Sequence, residues 1–294
     1  MKNKINILMT GGTGFLGSNL INKWIKNKKY KLFILHRSKS NFERIPEENL
    51  KKIYKINIDH NELNDIFKKK RIDAVVHCAT NYGLKKKNIS EIIQPNLILP
   101  MKLLDVAKNN KVRVFLNTDS VLNKNISNYT LSKYHFAEWL KLFSKDFYCC
   151  NIKIEHFFGP KDDESKFVIH IIKSFLKEIK FINLTKGNQK RDFIFINDVV
   201  SAIDKILNFS LKQKKGHDVF EIGSGHNISI KKIVLMIKKL CNNKKTILNF
   251  GKIKMRKNEL LKVKLNLKKL KNLNWKTKYK LEESLKKTIN YYKS

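Results

Sequence analysis

The run TGGTGFLG at Thr10–Gly17, set between a strand-like and a helix-like segment, constrains the fold more than any other part of the chain. Ahead of it INILM is short, apolar and rich in β-favouring residues, and behind it Phe15, Leu16, Leu20, Ile21 and Trp24 recur at helical spacing. Strand, glycine turn and helix in that order open a dinucleotide-binding α/β unit. Gly11 suits the tight turn, Gly14 lets backbone approach a pyrophosphate, and Gly17 permits close packing of helix on strand. Thr13, Phe15 and Leu16 complete the turn and are expected along the same cofactor.

The next strand, in KLFILHRSKSN, bears on which dinucleotide. An acidic residue after this strand would bind the ribose of NAD, but here His36, Arg37 and Ser38 follow, with no carboxylate until Glu43. A guanidinium and a hydroxyl suit a 2′-phosphate, so Arg37 and Ser38 favour NADP(H), with NAD(H) as the alternative. Strands in KIYKINID and DAVVHCAT follow. Ile58 and Asp59 after the first are expected at the adenine, and Ala79 and Thr80 after the second along the cofactor. The expected class is α/β: a Rossmann-type doubly wound parallel sheet with a smaller, sequence-discontinuous substrate lobe towards the C-terminus. The expected division is 1–155 with 187–226 for the dinucleotide-binding domain, and 156–186 with 227–294 for the lobe.

A second constellation lies in NTDSVL and NYTLSKYHFAEWL. Tyr129 and Lys133 are four apart, which on a helix puts them on one face, where a cation favours the phenolate. Such a pair can move a proton at neutral pH. Thr118, at the carboxyl end of a fifth strand, is the candidate hydroxyl partner on a substrate oxygen.

These motifs together resemble the extended short-chain dehydrogenase/reductases, in particular the nucleotide-sugar epimerase/dehydratase type, over nearly the full length. HCATNYG, Asn96 in IIQPNLILP, FFGPKDDESKF, RDFIFINDVV and FEIGSG occur in that family's order. Matching Val121 to the family's S-[ST]-x-x-V-Y-G puts Thr118 on its catalytic Ser/Thr, although Leu122 and Asn123 depart from the usual Tyr-Gly. The resemblance implies that Asn96 and Lys133 touch the cofactor, that Tyr129 also adjoins it, and that Tyr82, Asp119, His156, Arg191 and Arg256 meet the substrate. His156 stands where the family often has Asn. The six arginines of this lysine-rich chain include Arg191 and Arg256, which match arginines used on the diphosphate.

Dehydratases of the family read T-D-E where this chain reads Thr118, Asp119 and Ser120. A bare hydroxyl is a poor base for a carbon acid, so elimination of water is disfavoured. Reduction and epimerisation both need only hydride transfer at C4. NADP(H) points to reduction, and RSKSNFERI, HCATNYG, NTDS and EHFFGPKDDESKF resemble the CDP-sugar 4-ketoreductases, such as the CDP-abequose and CDP-paratose synthases of surface-polysaccharide sugar biosynthesis. A 4-epimerase with tightly held NAD is the alternative. A non-catalytic scaffold is disfavoured, since Thr118, Tyr129 and Lys133 are all present.

Composition adds little against this. The chain has 62 Lys+Arg against 25 Asp+Glu, a net +37, but the lysines are scattered and accompany no nucleic-acid motif. Specific nucleic-acid binding is not expected; attraction of an anionic sugar nucleotide is. Cys78, Cys149, Cys150 and Cys241 lack metal-ligand spacing, no metal is expected, and reduced thiols imply a cytoplasmic protein. No apolar run is long enough to cross a membrane. Phe136, Trp139, Leu140 and Phe143 are read as core or as the helix face of a homodimer.

Overall fold

The computed structural model describes residues 4–83, 88–255 and 260–293. In chain order the strands are β1 (Ile5–Thr10), β2 (Tyr30–His36), β3 (Tyr54–Asn57), β4 (Ala74–His77), β5 (Val114–Ser120), β6 (Tyr148–Ile154), β7 (His156–Phe158), β8 (Phe181–Leu184), β9 (Lys190–Phe195), β10 (Gly216–Ile222), β11 (Asn227–Ser229) and β12 (Ile247–Phe250). Close contacts divide the chain into two compact units, Met1–Lys153 with Val200–Phe220, and Ile154–Val199 with Glu221–Ser294.

The first unit is built on a seven-stranded sheet in the order β3-β2-β1-β4-β5-β6-β10. β1 pairs in parallel with both β2 and β4, and β2–β3 and β4–β5 are parallel too. Parallel neighbours need crossovers that cover both sheet faces, which is why the strands read as nearly unbroken apolar runs. Ile7, Leu8 and Met9 of β1 and all four residues of β4 are buried accordingly. The strand order reverses between β1 and β4, so the loops leaving these two strands border a crevice at the carboxyl edge. That is where the glycine turn and HCAT lie.

The helix Asn128–Leu142 packs on this sheet. Ser127 caps it reciprocally with Thr130: each residue's hydroxyl accepts the other's backbone N–H, at 3.3 Å and 3.0 Å. Phe136 and Leu140 are fully buried, with the Phe136 ring against Phe115 and His77, whereas Trp139 is 47% exposed. The stripe expected as one face is therefore split between core and surface.

In the second unit β9 pairs in parallel with β7 and antiparallel with β11, and β8 pairs in parallel with β12. These pairings bring 187–199 into this unit, whereas the sequence reading grouped that stretch with the first domain. The helices Phe167–Leu176, Ile230–Leu240 and Leu281–Lys293 pack on one another beside the strands.

Phe136→Ala should destabilise the protein by about 3–5 kcal/mol through the cavity it leaves. Trp139→Ala should cost under about 1 kcal/mol. Urea denaturation of the two variants checks this split.

Candidate active site

The glycine turn is shaped by contacts that no side chain could share. Gly11 adopts a left-handed conformation, φ 66°, and a Cβ there would lie 2.4 Å from the Ala79 nitrogen. A Cβ on Gly17 would stand 2.2 Å from the Gly11 carbonyl oxygen, so helix Phe15–Trp24 approaches the turn backbone to backbone. Gly14 heads that helix, which has neither a side-chain cap nor an acidic residue in its first turn. Its first N–H groups and the positive end of its dipole are thus disposed towards an anion. Thr13 and Leu16 are half-buried beside this end, and Phe15 is buried beneath it.

At the end of β2, Arg37 and Ser38 are exposed. Ser38 donates both its backbone N–H and its hydroxyl to Asp59 Oδ2, each at 2.8 Å. Those two bonds, and more weakly His60 and Arg37, hold the Asp59 carboxyl below its ordinary range. Asp59 therefore fixes the Ser38 loop, an arrangement that the sequence reading, which set it on the adenine, did not include. Ile58, half-buried, continues the β2–β3 ladder through its N–H to the His36 carbonyl.

The ends of β1, β4 and β5 are tied together by buried polar groups. Thr10 Oγ1 and His77 Nδ1 share a 2.8 Å hydrogen bond, the Ala79 N–H donates to Thr10 Oγ1, and Thr118 Oγ1 donates to the His77 carbonyl at 3.0 Å. Burial, helped by the Lys133 cation, keeps the His77 imidazole well below its usual pKa and hence neutral. Thr80, the next residue out, is half-buried at the mouth of this loop. Asn96 is wholly buried in a π-helical turn, Gln94–Ile98. Its amide holds Asn81 by a reciprocal pair of bonds, at 2.9 Å each, and donates to Ser132. It pins the HCATNYG loop to the Tyr129 helix.

Lys133 is buried to 1% exposure and donates to the Thr118 carbonyl at 2.8 Å. Burial draws its pKa down to about 8, partly offset by Asp119 and the Cys78 thiol. Asp119 is itself anchored: Oδ1 accepts the Ser120 N–H at 2.7 Å and Oδ2 accepts from Asn151 at 2.8 Å, while Asn117 donates to Asn151. Each oxygen of the expected substrate contact is thus engaged within the chain.

Tyr129 lies beside Tyr82, ring centroids 5.0 Å apart. Burial, Tyr82 and Asp119 raise its pKa well above the ordinary value, and Ser120 draws it back. The expected depression of the phenol by Lys133 does not arise in this arrangement, because the ammonium is directed at the Thr118 carbonyl and desolvation dominates.

In the second unit, His156 Nδ1 bonds to the buried Glu155 carboxylate at 3.1 Å. Arg191 is 4% exposed, and its Nη1 donates to the Lys190 and Leu260 carbonyls. Through that nitrogen it is tied to the 260 loop. Arg256 lies outside the described residues. The sequence reading missed Glu155, although it adjoins His156. It also missed Asn151, whose part depends on β5–β6 pairing and leaves no local signature.

The sequence model of the NAD dependent epimerase/dehydratase family matches residues 7–223. The CDP-abequose synthase of Salmonella muenchen is 34% identical over 97% of this chain and 97% of its own. A putative UDP-glucose 4-epimerase of Methanocaldococcus jannaschii is 25% identical over 98% of each. Among solved structures, the UDP-glucose 4-epimerase of Thermotoga maritima with UDP-glucose superposes with a TM-score of 0.83 at 22% identity, covering 98% of both chains.

Lys133 yields a pH signature. Its folded pKa of about 8 lies below the ordinary 10.5, so between these values the unfolded chain binds the extra proton and stability rises with pH. Relative to Lys133→Met, the wild-type protein should gain roughly 3 kcal/mol between pH 8 and 10.5. Denaturation of both proteins across that window measures it.

Proposed function

The chain belongs to the NAD dependent epimerase/dehydratase family, and from that premise we propose that it reduces the C4 ketone of a nucleotide-activated deoxysugar, of the CDP-4-dehydro-deoxyhexose type. One observation sets this apart from elimination of water. Beside Tyr129 stands the Tyr82 ring, and Asp119, the carboxylate whose charge acts on the phenol, has its two oxygens held by Asn151 and the Ser120 N–H. This suits proton donation to an oxygen better than abstraction from a carbon. The full-length likeness to a CDP-abequose synthase supports the same substrate class.

The residues present fit a dinucleotide. Gly11 and Gly17 leave no space for a side chain where backbone meets backbone, and the uncapped helix behind Gly14 offers N–H groups to a pyrophosphate. When bound, the nicotinamide supplies the hydride for C4. In our assignment Gly11, Thr13, Gly14, Phe15, Leu16 and Gly17 hold the pyrophosphate side, Ile58 and Asp59 border the adenine, and Ala79, Thr80 and Asn96 shape the nicotinamide side. Arg37 and Ser38 supply charge and a hydroxyl for a 2′-phosphate, which favours NADP(H).

Tyr129 would give its proton to the ketone oxygen as C4 is reduced, leaving the alcohol. Lys133, held by the Thr118 carbonyl, keeps a positive charge close to the site where negative charge develops. The Thr118 hydroxyl, at the end of β5, orients the substrate oxygen. Tyr82 and His156 are assigned to the sugar nucleotide, with Arg256 for its diphosphate. A 4-epimerase with tightly held NAD is the second reading, supported by the likeness to the putative epimerase of Methanocaldococcus jannaschii.

Leu131, Tyr134 and Leu142 are exposed along one helix, and we assign them to a homodimer interface. Sedimentation should then give twice the 34.6 kDa chain mass. Free thiols at Cys78, Cys149 and Cys241 support a cytoplasmic setting.

Purified protein should oxidise NADPH, faster than NADH, only when a 4-keto CDP-sugar is present. Tyr129→Phe should lower that rate by about a hundredfold or more. Oxidation that is absent with every 4-keto sugar nucleotide, alongside bound NAD, would favour the epimerase.

A further inference from the structure

Glu155 stands between β6 and β7, and its carboxylate is buried, with the residue 3% exposed. A buried carboxylate needs compensation, and both oxygens receive it within the second unit. Oε1 accepts the Asp192 N–H at 3.4 Å, and Oε2 meets His156 Nδ1 at 3.1 Å. The Asp192 carboxylate has its own donors: Oδ1 accepts the Ser224 N–H and hydroxyl, at 2.8 and 2.6 Å, and Oδ2 the Gly225 N–H at 2.7 Å. The Asp192 N–H thereby decides which Glu155 oxygen faces the imidazole. Pairing of β7 with β9 sets His156 opposite Phe193, and the two rings meet edge to face with centroids 5.6 Å apart. The imidazole is held through one nitrogen and one ring contact, while its side chain keeps 36% exposure. An ionised carboxylate only accepts hydrogen bonds, so Glu155 requires the proton on Nδ1. In the neutral ring Nε2 is then a bare acceptor, and it is the nitrogen left for a ligand.

We propose that Glu155 is a positioning residue that locks His156 in the Nδ1–H tautomer, so that Nε2 accepts a hydrogen bond from a hydroxyl of the hexose in the sugar nucleotide. The proposal rests on the assignment of His156 to that substrate. A sugar hydroxyl can donate to a bare nitrogen, whereas the phosphate oxygens of the nucleotide are acceptors and would set acceptor against acceptor. The lock therefore makes His156 a reader of the sugar. A hexose without a hydroxyl at that place leaves Nε2 unpaired, and its binding is weakened accordingly.

The test follows ¹⁵N-labelled histidine by nuclear resonance, with the His156 signals identified by their loss in His156→Gln. In the neutral ring of the wild-type protein Nδ1 should resonate as the protonated nitrogen and Nε2 as the bare one. In Glu155→Gln the amide oxygen keeps the Asp192 N–H and the NH₂ turns to the ring, so the two signals should exchange character. CDP-glucose should move the wild-type Nε2 signal, and CDP alone should not. In turnover Glu155→Gln should raise KM for the sugar nucleotide by about three- to tenfold with kcat little changed, and should add nothing in a His156→Gln background. A wild-type ring with its proton on Nε2, an Nε2 signal moved equally by CDP, or a Glu155→Gln effect that persists in full without His156 would overturn the proposal. The first two need no variant at position 155 to fold. Failure of the wild-type protein to reduce any 4-keto sugar nucleotide would instead sink the reductase reading, while the tautomer and the CDP-glucose titration still decide what His156 does.

Discussion

A lysine ammonium buried at the carboxyl edge of a parallel sheet organises this site. An unpaired buried charge is among the most unfavourable features a core can contain, and Lys133 is compensated by the Thr118 carbonyl and by the anchored carboxylate of Asp119. Each compensation has a structural consequence. Engaging the Thr118 carbonyl goes with a Thr118 hydroxyl turned to His77, which ties β5 to β4, and through Thr10 to β1. Holding Asp119 requires Asn151 and Asn117 across neighbouring strands and the Ser120 N–H beside it. The charge and the strand ends are thus one arrangement.

The second constraint is steric and lies at the point where strand order reverses. Gly11 presses against Ala79 and Gly17 against Gly11, so the turn after β1 and the loop after β4 have a single way to fit. Asn96 extends this fit from the β4 loop to Ser132 on the Tyr129 helix. A cofactor cradle and a proton-transfer pair, distant in sequence, are thereby held in register by backbone contacts and a few buried amides.

Much of this was legible in the sequence because it depends on local pattern. The glycine spacing, the apolar runs of β1 and β4 and the Tyr129–Lys133 spacing all report directly on strand, turn and helix. What escaped was long-range. Lys133 adjoins Tyr129 in any helix, but only the tertiary structure shows its ammonium on Thr118 and the phenol pKa raised by burial. Matching Val121 to a family pattern singled out Thr118, but only the tertiary structure shows its hydroxyl on the His77 carbonyl and its own carbonyl on Lys133. Arg191 stands out in the sequence because arginines are few, while its bonds from Nη1 to the Leu260 and Lys190 carbonyls appear only in the fold. The stretch 187–199 joined the second unit through pairing of β9 with β7 and β11, which composition does not announce.

The central claim is net reduction at C4 with Tyr129 as the proton donor. Turnover of a 4-keto CDP-sugar with NADPH deuterated at the transferring nicotinamide position tests it most directly, by mass and nuclear resonance analysis of the sugar product. One deuterium at C4 of each product molecule is the result predicted. Product without deuterium, or interconversion of 4-hydroxy epimers with no consumption of added cofactor, would contradict it.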